Sequence, residues 1–440
     1  MSCGRPLVIF IHHPLLKQIP VSQLRLGMHF HKLQGSWLAH SIWRSRFLIH
    51  TAEELRQLHA CGVAVCLIDT SLGADVETAN PDVGAESSAE GGAEQNSQAA
   101  VATVAAVATV APVAARPQPA SLRPMAEELE QAAAICRSGQ TAVLALFAEA
   151  RLGRTVHVEG CLPLVAEIAD SVHRNPNALV SLARLKSRDS YSYMHSVAVC
   201  ALMVSLGRQI GLSPAVCREA GLAGLMHDIG KALMPPEVLN KPGPLTDAEF
   251  SIMRSHPERG HALLIEGPGA TTATLDVVLH HHERFDGTGY PHRLAGEQIT
   301  QMARMAAICD VYDAITSVRP YKDGWDPAES IARMAAWQGH FDSALFGAFV
   351  QTIGIYPIGS LVKLSSGRLA VVMEQNPIHL TAPVVKVFFS TQSKLPLEPR
   401  RLDLAGAGCN DRIVGRGERS GCPDLDALWA DPEVLRRIRH

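Results

Sequence analysis

Apolar residues recur at helical spacing through the middle of the chain. Met125, Leu129 and Ala133 would share one face of a helix, because residues three to four apart lie on the same side of an α-helix. The segment from His195 to Leu212 repeats apolar residues with the same period. No strand pattern of comparable weight interrupts this region, so residues 121–355 are predicted to form an all-α domain.

Polar residues and prolines mark where these helices should begin and end. Ser213 followed by Pro214 supplies an N-cap and a first-turn proline, two features that helix starts favour. The run TDAE that begins at Thr246 has the form of a capping box, in which each end residue bonds the other's backbone amide. It should open the helix that carries His256, and Pro257 should end or kink that helix just after the histidine.

The pattern changes on either side of the helical region. Residues 1–72 combine one short helix with a buried strand from Val63 to Ile68, which predicts a small α/β domain. Towards the other end, apolar and polar residues alternate on both sides of Ser366–Gly367, as in a hairpin, and the segment PVVKVFFS predicts a third strand. Residues 356–440 are therefore expected to form a β-rich segment and tail, and the fold class is multidomain.

Residues 73–120 differ from the rest of the chain in composition. Alanine, serine, glycine and acidic residues dominate, and no lysine or arginine occurs from Gln57 to Ala115. Such a segment buries too little apolar surface to offset the entropy of ordering it, so a disordered, alanine-rich linker is predicted. Its apolar part consists of alanine, valine and threonine and falls short of the ~20 strongly apolar residues that a spanning helix needs.

Charge and cysteine content limit the partners and the compartment. Of the 440 residues, 47% are hydrophobic and 19% are charged, as in an ordinary soluble protein, and the net charge is −3. A nearly neutral chain has no bulk attraction to nucleic acid or to membranes, so neither is expected as a partner. The ten cysteines form no CxxC pair, and the apolar run near the N-terminus is too short for a signal peptide. A reducing, cytoplasmic location is expected.

Histidines and aspartates gather in the second half of the helical region. His227 and Asp228 are adjacent after an apolar run, and further on come His256 and a histidine triplet that begins at His280. Neighbours on a regular helix diverge by about 100°, so His227 and Asp228 can meet at one cation only where a helix ends. An end is expected there because Gly230 and two prolines follow.

This set of residues suits a pair of divalent cations. An aspartate can bridge two cations because each carboxylate oxygen can serve a different ion, and neutral imidazoles supply nitrogen ligands. With no cysteine in the set, Fe, Mn or Zn is favoured over softer metals. Two cations ~3.5–4 Å apart would clamp the oxygens of an in-line phosphoryl displacement and lower the pKa of a water. Lys231, one turn past His227, could neutralise charge developing on the phosphate.

Each of these features alone has an ordinary explanation. An HD dipeptide is common, and a buried histidine is usually only hydrogen-bonded. Arg319 and Lys322 could belong to a solvated turn. The combination favours a metal site, because the ordinary explanation needs several coincidences within one segment.

The same stretch resembles the HD-GYP phosphodiesterases, a branch of the HD-domain metal-dependent phosphohydrolases. The matching segments run from Leu179 to Phe349 in family order: SYSYMHSVAV, GLMHDIGK, VLNKPGPLTDAEF, MRSHPERG, HHERFDGTGYP, ICDVYDAITSVRPYK and FD. The resemblance implies hydrolysis of cyclic di-GMP to the linear dinucleotide pGpG, in some members onward to GMP, at an iron or manganese centre. The front of the chain, with VSQLRLGMHF and VAVCLIDTSLG, resembles an uncharacterised domain that often precedes such modules.

The resemblance also implies roles for individual residues. Two divalent metal ions, bridged by Asp228, would be held by His195, His227, Asp228, His256, His281, His282 and Asp310. Asp228 and Lys231 would be the catalytic residues, and His280 would be left as an extra histidine outside the ligand set. The substrate would meet Lys231, Tyr290, Arg319 and Lys322. The signature loop, which could also dock signalling proteins, comprises Asp286, Gly287, Gly289, Tyr290 and Pro291.

Two other functions stay open at this point. An HD phosphohydrolase could act on another cyclic dinucleotide or nucleotide, although the GYP loop and the RPYK segment favour cyclic di-GMP. A catalytically silent module could instead dock partner proteins through the GYP loop, although such a module would be free to lose metal ligands. Tyr191, one turn before His195, stands where some family members carry an acidic residue for a third metal, so two ions are expected.

Overall fold

The structure is a computed structural model that describes residues 16–34, 47–49, 52–59, 65–70, 72–74, 123–185, 191–241, 243, 245–317, 324–417 and 424–439. The chain divides into two compact units, Met1–Ser88 and Ala89–His440. The predicted linker at residues 73–120 lies outside the described residues except for its first two.

The first unit is a small α/β fold. Its strands and helix are β1 (Leu16–Pro20), β2 (His29–Gln34), β3 (Phe47–Leu48), α1 (Ala52–His59) and β4 (Val65–Asp69). The strands pair antiparallel in the order β1-β4-β2-β3. Apolar side chains of the sheet and helix are buried together, among them Ile19, Phe30, Leu58 and Ile68. The α/β prediction for this part is confirmed, and the strand predicted from Val63 to Ile68 lies at Val65–Asp69.

The second unit begins with helices and ends with a sheet. The helices before the sheet are α2 (Met125–Arg151), α3 (Leu162–Arg174), α4 (Ala178–Ala183), α5 (Tyr191–Gln209), α6 (Pro214–Met226), α7 (Pro236–Leu239), α8 (Asp247–Met253), α9 (His256–Ile265), α10 (Thr272–His280), α11 (Gln301–Thr316), α12 (Pro327–Ala336) and α13 (Ser343–Ile353). The predicted cap of α6 is confirmed, since the Ser213 hydroxyl accepts a backbone N–H at 3.3 Å. Among the described residues from 123 to 355, β pairing is limited to one isolated bridge between Asp286 and Ala295, so the all-α prediction is confirmed.

Helix α5 lies at the centre of the helical region. Every side chain from Met194 to Gly207 is buried, as expected of a helix that is apolar around its whole circumference. It packs against α2, α6 and α11, and Val197 and Val199 belong to two different apolar clusters on its opposite sides. This packing fixes the position of His195, which lies near the N-terminal end of α5.

The helix junction at His256 differs from the prediction. The capping box is present, with Thr246 Oγ1 accepting from the Glu249 amide at 3.3 Å, but α8 ends at Met253. His256 instead opens α9, and Pro257 occupies the first turn of that helix. Proline suits this place because its missing N–H would be unpaired at a helix start anyway. The prediction that the capped helix carries His256 was therefore wrong.

An antiparallel sheet and a short helix form the C-terminal part. The described elements are β5 (Leu361–Leu364), β6 (Arg368–Glu374), β7 (Val384–Ser390), β8 (Leu395–Asp403), β9 (Ile413–Arg416) and α14 (Pro432–Arg439). The strand order is β8-β7-β6-β5-β9. The predicted hairpin at Ser366–Gly367 and the third strand are confirmed as β5, β6 and β7. Strand β8 was missed because LPLEPRRLD has two prolines and four charges, which suit an exposed edge strand rather than a buried one.

The sheet shares an apolar core with the last helices of the helical region. Val362, Val372 and Val385 pack in the same buried cluster as Ile308 of α11 and Phe349 of α13. A fully buried side chain of this size contributes roughly 1.5–3 kcal/mol to stability. The sheet therefore supports the helix α11, which carries Asp310.

None of the helices in the described part of the chain combines the length and the apolar character needed to cross a membrane.

Candidate metal centre

His227 and Asp228 lie where helix α6 ends. The helix runs to Met226, and His227 still has helical backbone angles, whereas Asp228 has left the helix with φ −101° and ψ 8°. This change of direction lets two adjacent side chains reach one centre, as the residue pattern predicted. The break does not depend on a left-handed Gly230, however, because Gly230 lies in the following 3-10 turn, Ile229–Leu233, with φ outside the positive range.

Seven side chains converge in two groups of candidate ligands. Within each group, one nitrogen or oxygen atom per residue lies within 4.8 Å of the others. The first group is Asp228, His256, His281 and His282, and the second is His195, His227 and Asp310. These are the seven residues that the family resemblance implied, and all except His282 are buried.

Asp228 faces both groups. Its Oδ1 lies 3.2 Å from His256 Nε2 and 3.7 Å from His281 Nε2. Its Oδ2 lies 3.3 Å from His227 Nε2 and 3.6 Å from His195 Nε2. One carboxylate thus directs a different oxygen towards each group, which is the arrangement that a bridging ligand needs.

Carbonyl oxygens orient three of the imidazoles. His227 Nδ1 lies 2.8 Å from the Gly224 carbonyl oxygen, and His256 Nδ1 lies 2.8 Å from that of Met253. His281 Nδ1 makes the same contact with a carbonyl of its own helix, α10, at 3.0 Å. A carbonyl can only accept, so Nδ1 carries a proton in each ring and Nε2 points to the centre, where it is a candidate ligand atom.

Charges in the centre keep its carboxylates ionised. Burial would raise the pKa of Asp228, but Lys231 and the neighbouring imidazoles hold that pKa well below its usual range. Burial likewise opposes ionisation of Asp310, yet the imidazoles of His195 and His227, whose Nε2 atoms lie 3.0 and 3.8 Å from its Oδ1, hold its pKa well below the usual range. Both side chains therefore present anionic oxygens to a cation at neutral pH.

The pKa values of the imidazoles are shifted in opposite directions. Burial lowers the pKa of His281 well below its usual range and that of His282 to about 3, so both rings are neutral at pH 7. Burial also disfavours the charged form of His227, but Asp228 and Asp310 outweigh it and raise the pKa to about 10. A cation that binds His227 must therefore release a proton, which couples metal affinity to pH.

The donor atoms fit divalent cations. His227 Nε2 and Asp228 Oδ1 are buried and accept or donate no hydrogen bond of good geometry within the described residues, and such atoms are rare unless an ion or water satisfies them. His256 Nε2 and His281 Nε2 face each other at 3.3 Å, although the proton of each ring sits on Nδ1. Nitrogen and oxygen donors without cysteine suit Fe, Mn or Zn.

Of the residues expected to meet the substrate, Lys231 and Tyr290 border the centre. Lys231 Nζ lies 2.5 Å from Asp228 Oδ2. The ring of Tyr290 stacks on that of His282, with centroids 4.7 Å apart. Arg319 and Lys322, and the side chain of Tyr191, lie outside the described residues: Tyr191 itself is placed only as the first residue of α5.

His280 lies outside both ligand groups. Its Nδ1 is 2.8 Å from Asp276 Oδ1, and its Nε2 is 3.0 Å from His292 Nδ1. The sequence expectation of an extra histidine beside the ligand pair therefore agrees with the contacts that this side chain makes.

Glu283 anchors the signature loop, a role for which the sequence has no signal. The side chain is 2% exposed, and its Oε1 accepts from the His292 amide at 2.7 Å. Gly289 packs so closely on the same backbone that a Cβ there would lie 2.3 Å from the Arg284 nitrogen. The loop is thus held against the residue that follows the His281–His282 pair.

Asp313 was also missed, although it orients a candidate ligand. Its Oδ2 lies 2.6 Å from His195 Nδ1, and both side chains are buried. A carboxylate on the far ring nitrogen fixes the tautomer and strengthens Nε2 as a ligand. The available signal was spacing, because Asp310 and Asp313 are three residues apart on α11 and so share a helix face.

Asp313→Asn should weaken metal binding about tenfold, since such orienting partners typically change metal affinity by 10–100-fold and the amide retains one acceptor. Titration of the metal-depleted protein would measure the affinity. Asp276→Asn is the matched control, because its carboxylate contacts His280 outside both groups. Equal losses in the two variants would contradict a specific role for Asp313.

Comparisons with known proteins cover nearly the whole chain. Residues 168–345 match the family model described as HD domain, and residues 16–161 match a domain of unknown function, DUF3391. A protein named cyclic di-GMP phosphodiesterase from Pseudomonas aeruginosa is 49% identical over 418 residues, which are 94% of this chain and 96% of that protein. All seven candidate ligands lie within the HD-domain match.

Two other relatives match part of the chain. A cyclic di-GMP phosphodiesterase response regulator from Xanthomonas campestris is 36% identical over 196 residues, 43% of this chain and 50% of that protein. A 3′3′-cGAMP-specific phosphodiesterase from Vibrio cholerae is 34% identical over 167 residues, 38% of this chain and 38% of that protein. The names of these relatives thus give two different substrates, cyclic di-GMP and 3′3′-cGAMP.

Proposed function

The chain belongs to the HD-GYP family of metal-dependent phosphodiesterases, and from this premise we propose that it hydrolyses cyclic di-GMP to the linear dinucleotide pGpG. The Pseudomonas aeruginosa relative that has this activity in its name matches almost the full length of the chain. The structural observation that carries the proposal is the Asp228 carboxylate, whose two oxygens face two groups of ligands. Onward hydrolysis of pGpG to GMP would be a second step, which chromatography of the reaction products can detect.

Two divalent ions, iron or manganese, are proposed to occupy the centre. The seven side chains divide into two groups that meet at Asp228, so each ion would have imidazole and carboxylate donors. This mixture of nitrogen and oxygen ligands is typical of iron and manganese sites and contains no thiolate that would select a softer metal. When bound, the two cations supply Lewis acidity to the phosphoryl oxygens and lower the pKa of a water towards neutrality.

The chain's own residues position the reacting groups. Asp228 and Asp310 stay ionised, and His281 and His282 stay neutral, so these four side chains need no proton change at pH 7. His227 is the exception, because its raised pKa means that it must release a proton to bind a cation. Lys231 lies at the open side, with its side chain 25% exposed, where it can donate to a phosphate oxygen as negative charge develops. The oxygen of a water bonds to phosphorus as that water gives up a proton to solvent, the P–O3′ bond breaks, and the 3′-oxygen takes up a proton from solvent.

Lys231→Ala should lower kcat about a hundredfold while leaving the metal content unchanged. The loss is that of one charged donor acting on the transition state, which typically changes kcat by ~10²–10³. Steady-state kinetics and metal analysis of the same preparation test both parts. Because Lys231 is an ion-pair partner of Asp228 and not a candidate ligand, substantial metal loss in this variant would contradict the separation of roles.

Anaerobic purification, metal analysis and chromatography of the reaction products test the function itself. The metal-loaded protein should convert cyclic di-GMP to pGpG, and a time course shows whether GMP follows. The competing substrate is 3′3′-cGAMP, because a Vibrio cholerae relative is specific for it. Faster turnover of 3′3′-cGAMP would make the substrate assignment wrong, and a metal-loaded protein that cleaves neither would favour the silent docking module.

The remaining expectations are proposals of the same kind. A cytoplasmic location is supported by the described cysteines, which are free thiols, as a reducing compartment would keep them. Docking of signalling proteins is proposed for the signature loop, where Asp286 and Thr288 are exposed. For the proposed division into residues 1–72, 73–120, 121–355 and 356–440, the separate core of the first unit supports only the first boundary. The last two segments belong to one compact unit and share an apolar core.

A further inference from the structure

The metal centre is open to solvent on one side. Of the seven candidate ligands, His282 has the most accessible side chain, at 23% exposure, and the neighbouring Lys231 is 25% exposed. The other ligands lie deeper, with His227 and His281 almost completely buried. A cyclic dinucleotide must therefore approach past His282 and Lys231.

A stack of three side chains borders this opening. The Tyr290 ring lies on the His282 ring, with centroids 4.7 Å apart and planes 29° from parallel. On the Tyr290 ring lies the guanidinium of Arg254, 4.6 Å from the centroid. Arg254 lies between α8 and α9, two residues before His256. The stack thus joins a candidate ligand to a cation at the edge of the site.

Among the described residues, the Arg254 guanidinium has no anionic partner, in contrast to those of Arg304 and Arg174. The guanidinium of Arg304 bonds Asp342 at 2.6 Å, and that of Arg174 bonds Glu128 at 2.8 Å. No hydrogen bond or ion pair to the Arg254 guanidinium is made by the described residues, which contact it through the rings of Tyr290 and Phe250. Stacking occupies the flat faces of a guanidinium and leaves its N–H edge available.

We propose that Arg254 is a substrate-binding residue that donates its N–H edge to the part of the cyclic dinucleotide that is not being cleaved. The inference rests on the proposed function. The matching chemistry is a pair of acceptors presented edge-on, which a phosphate offers with two oxygens and guanine offers with O6 and N7. The ring of Tyr290 holds the guanidinium in place before the ligand binds. Less conformational entropy of the long arginine side chain is therefore lost on binding.

The test compares Arg254→Ala and Arg254→Lys with Arg218→Ala, which removes the same charge from an exposed position on α6. Loss of charge-assisted hydrogen bonds should raise KM for cyclic di-GMP roughly tenfold to a hundredfold. We expect kcat, metal content and hydrolysis of bis(p-nitrophenyl) phosphate to stay at wild-type values, because that small diester lacks the uncleaved half of the cyclic dinucleotide that the proposed contact would bind. Arg254→Lys should restore little, since a lysine has neither the planar face nor the fork.

Inhibition by cyclic di-AMP separates the two kinds of acceptor. A larger inhibition constant for cyclic di-AMP in Arg254→Ala than in the wild type assigns the contact to phosphate, which both cyclic dinucleotides carry. An unchanged inhibition constant assigns the contact to guanine, which cyclic di-AMP lacks. An unchanged KM for cyclic di-GMP would overturn the proposal while leaving the function intact. Parallel losses of metal and of small-diester hydrolysis would also overturn it, because Arg254 would then serve only to hold Tyr290 on His282. Failure of the wild-type protein to cleave cyclic di-GMP would remove the proposed function and the inference together.

Discussion

Asp228→Ala should abolish hydrolysis of cyclic di-GMP and lower the metal content of the purified protein. The two oxygens of this carboxylate face different groups, at 3.2 Å from His256 Nε2 and 3.3 Å from His227 Nε2. One substitution therefore removes a ligand from both groups and also the anionic partner of Lys231. Loss of the bound cations would remove several kcal/mol of transition-state stabilisation, so turnover should fall by more than about a thousandfold.

The comparison with Asp310→Ala makes this prediction specific. Asp310 is a member of the His195–His227 group, so its removal should reduce metal content less than the removal of Asp228 does. Metal analysis after anaerobic purification and product chromatography supply the two readouts, and circular dichroism shows whether each variant is folded. Near-wild-type hydrolysis with full metal loading in Asp228→Ala would refute the two-metal assignment.

Adjacent motifs made only part of the candidate metal centre predictable from the sequence. The His227–Asp228 pair, on its own, required only a helix end, and α6 does end immediately before it. His195 and Asp310 stand 115 positions apart in the numbering, and only the family resemblance joined them before the structure placed them with Nε2 and Oδ1 3.0 Å apart. Spacing along the chain therefore identifies local geometry, while distant pairs need a known fold.

Residues that act through another side chain were harder to predict. Asp313 and Glu283 were missed because an aspartate on a helix or a glutamate after a histidine pair has many ordinary surface roles. Their functions follow from contacts with His195 and with the His292 amide. Pro257 shows a different difficulty, since proline is compatible both with a helix that stops and with a helix that starts. Local sequence rules leave that choice to tertiary packing.

Gly230 has a different structural role from the one that the sequence suggested. The sequence suggested that it ends a helix, yet the helix has already ended at Met226. The structure instead brings Gly230 against α9, where a Cβ would lie 1.9 Å from the His256 carbonyl oxygen and 2.7 Å from the Gly260 nitrogen. Both obstructing atoms belong to backbone, which cannot rotate away as a side chain does. Glycine is needed here for close approach.

Gly230→Ala should therefore displace the start of α9, and His256 with it. Overpacking of this kind typically costs 1–3 kcal/mol, and a Cβ only 1.9 Å from a backbone oxygen places this substitution at or above the upper end. Because His256 would move away from Asp228 Oδ1, we expect metal loading and cyclic di-GMP hydrolysis to fall together with the unfolding temperature. Inductively coupled plasma mass spectrometry, product chromatography and thermal denaturation would measure the three effects.

Gly160→Ala is the matched control for Gly230→Ala. A Cβ at Gly160 would have no heavy atom within 4 Å, and its backbone φ lies outside the left-handed range. Replacing glycine by alanine at such a position should be neutral or should stabilise the protein by about 0.4–1 kcal/mol, because the unfolded chain loses freedom. If Gly230→Ala matched this control in unfolding temperature, metal content and activity, the contact between Gly230 and the start of α9 would not be as close as the structure shows. His256 would then not depend on that contact for its position.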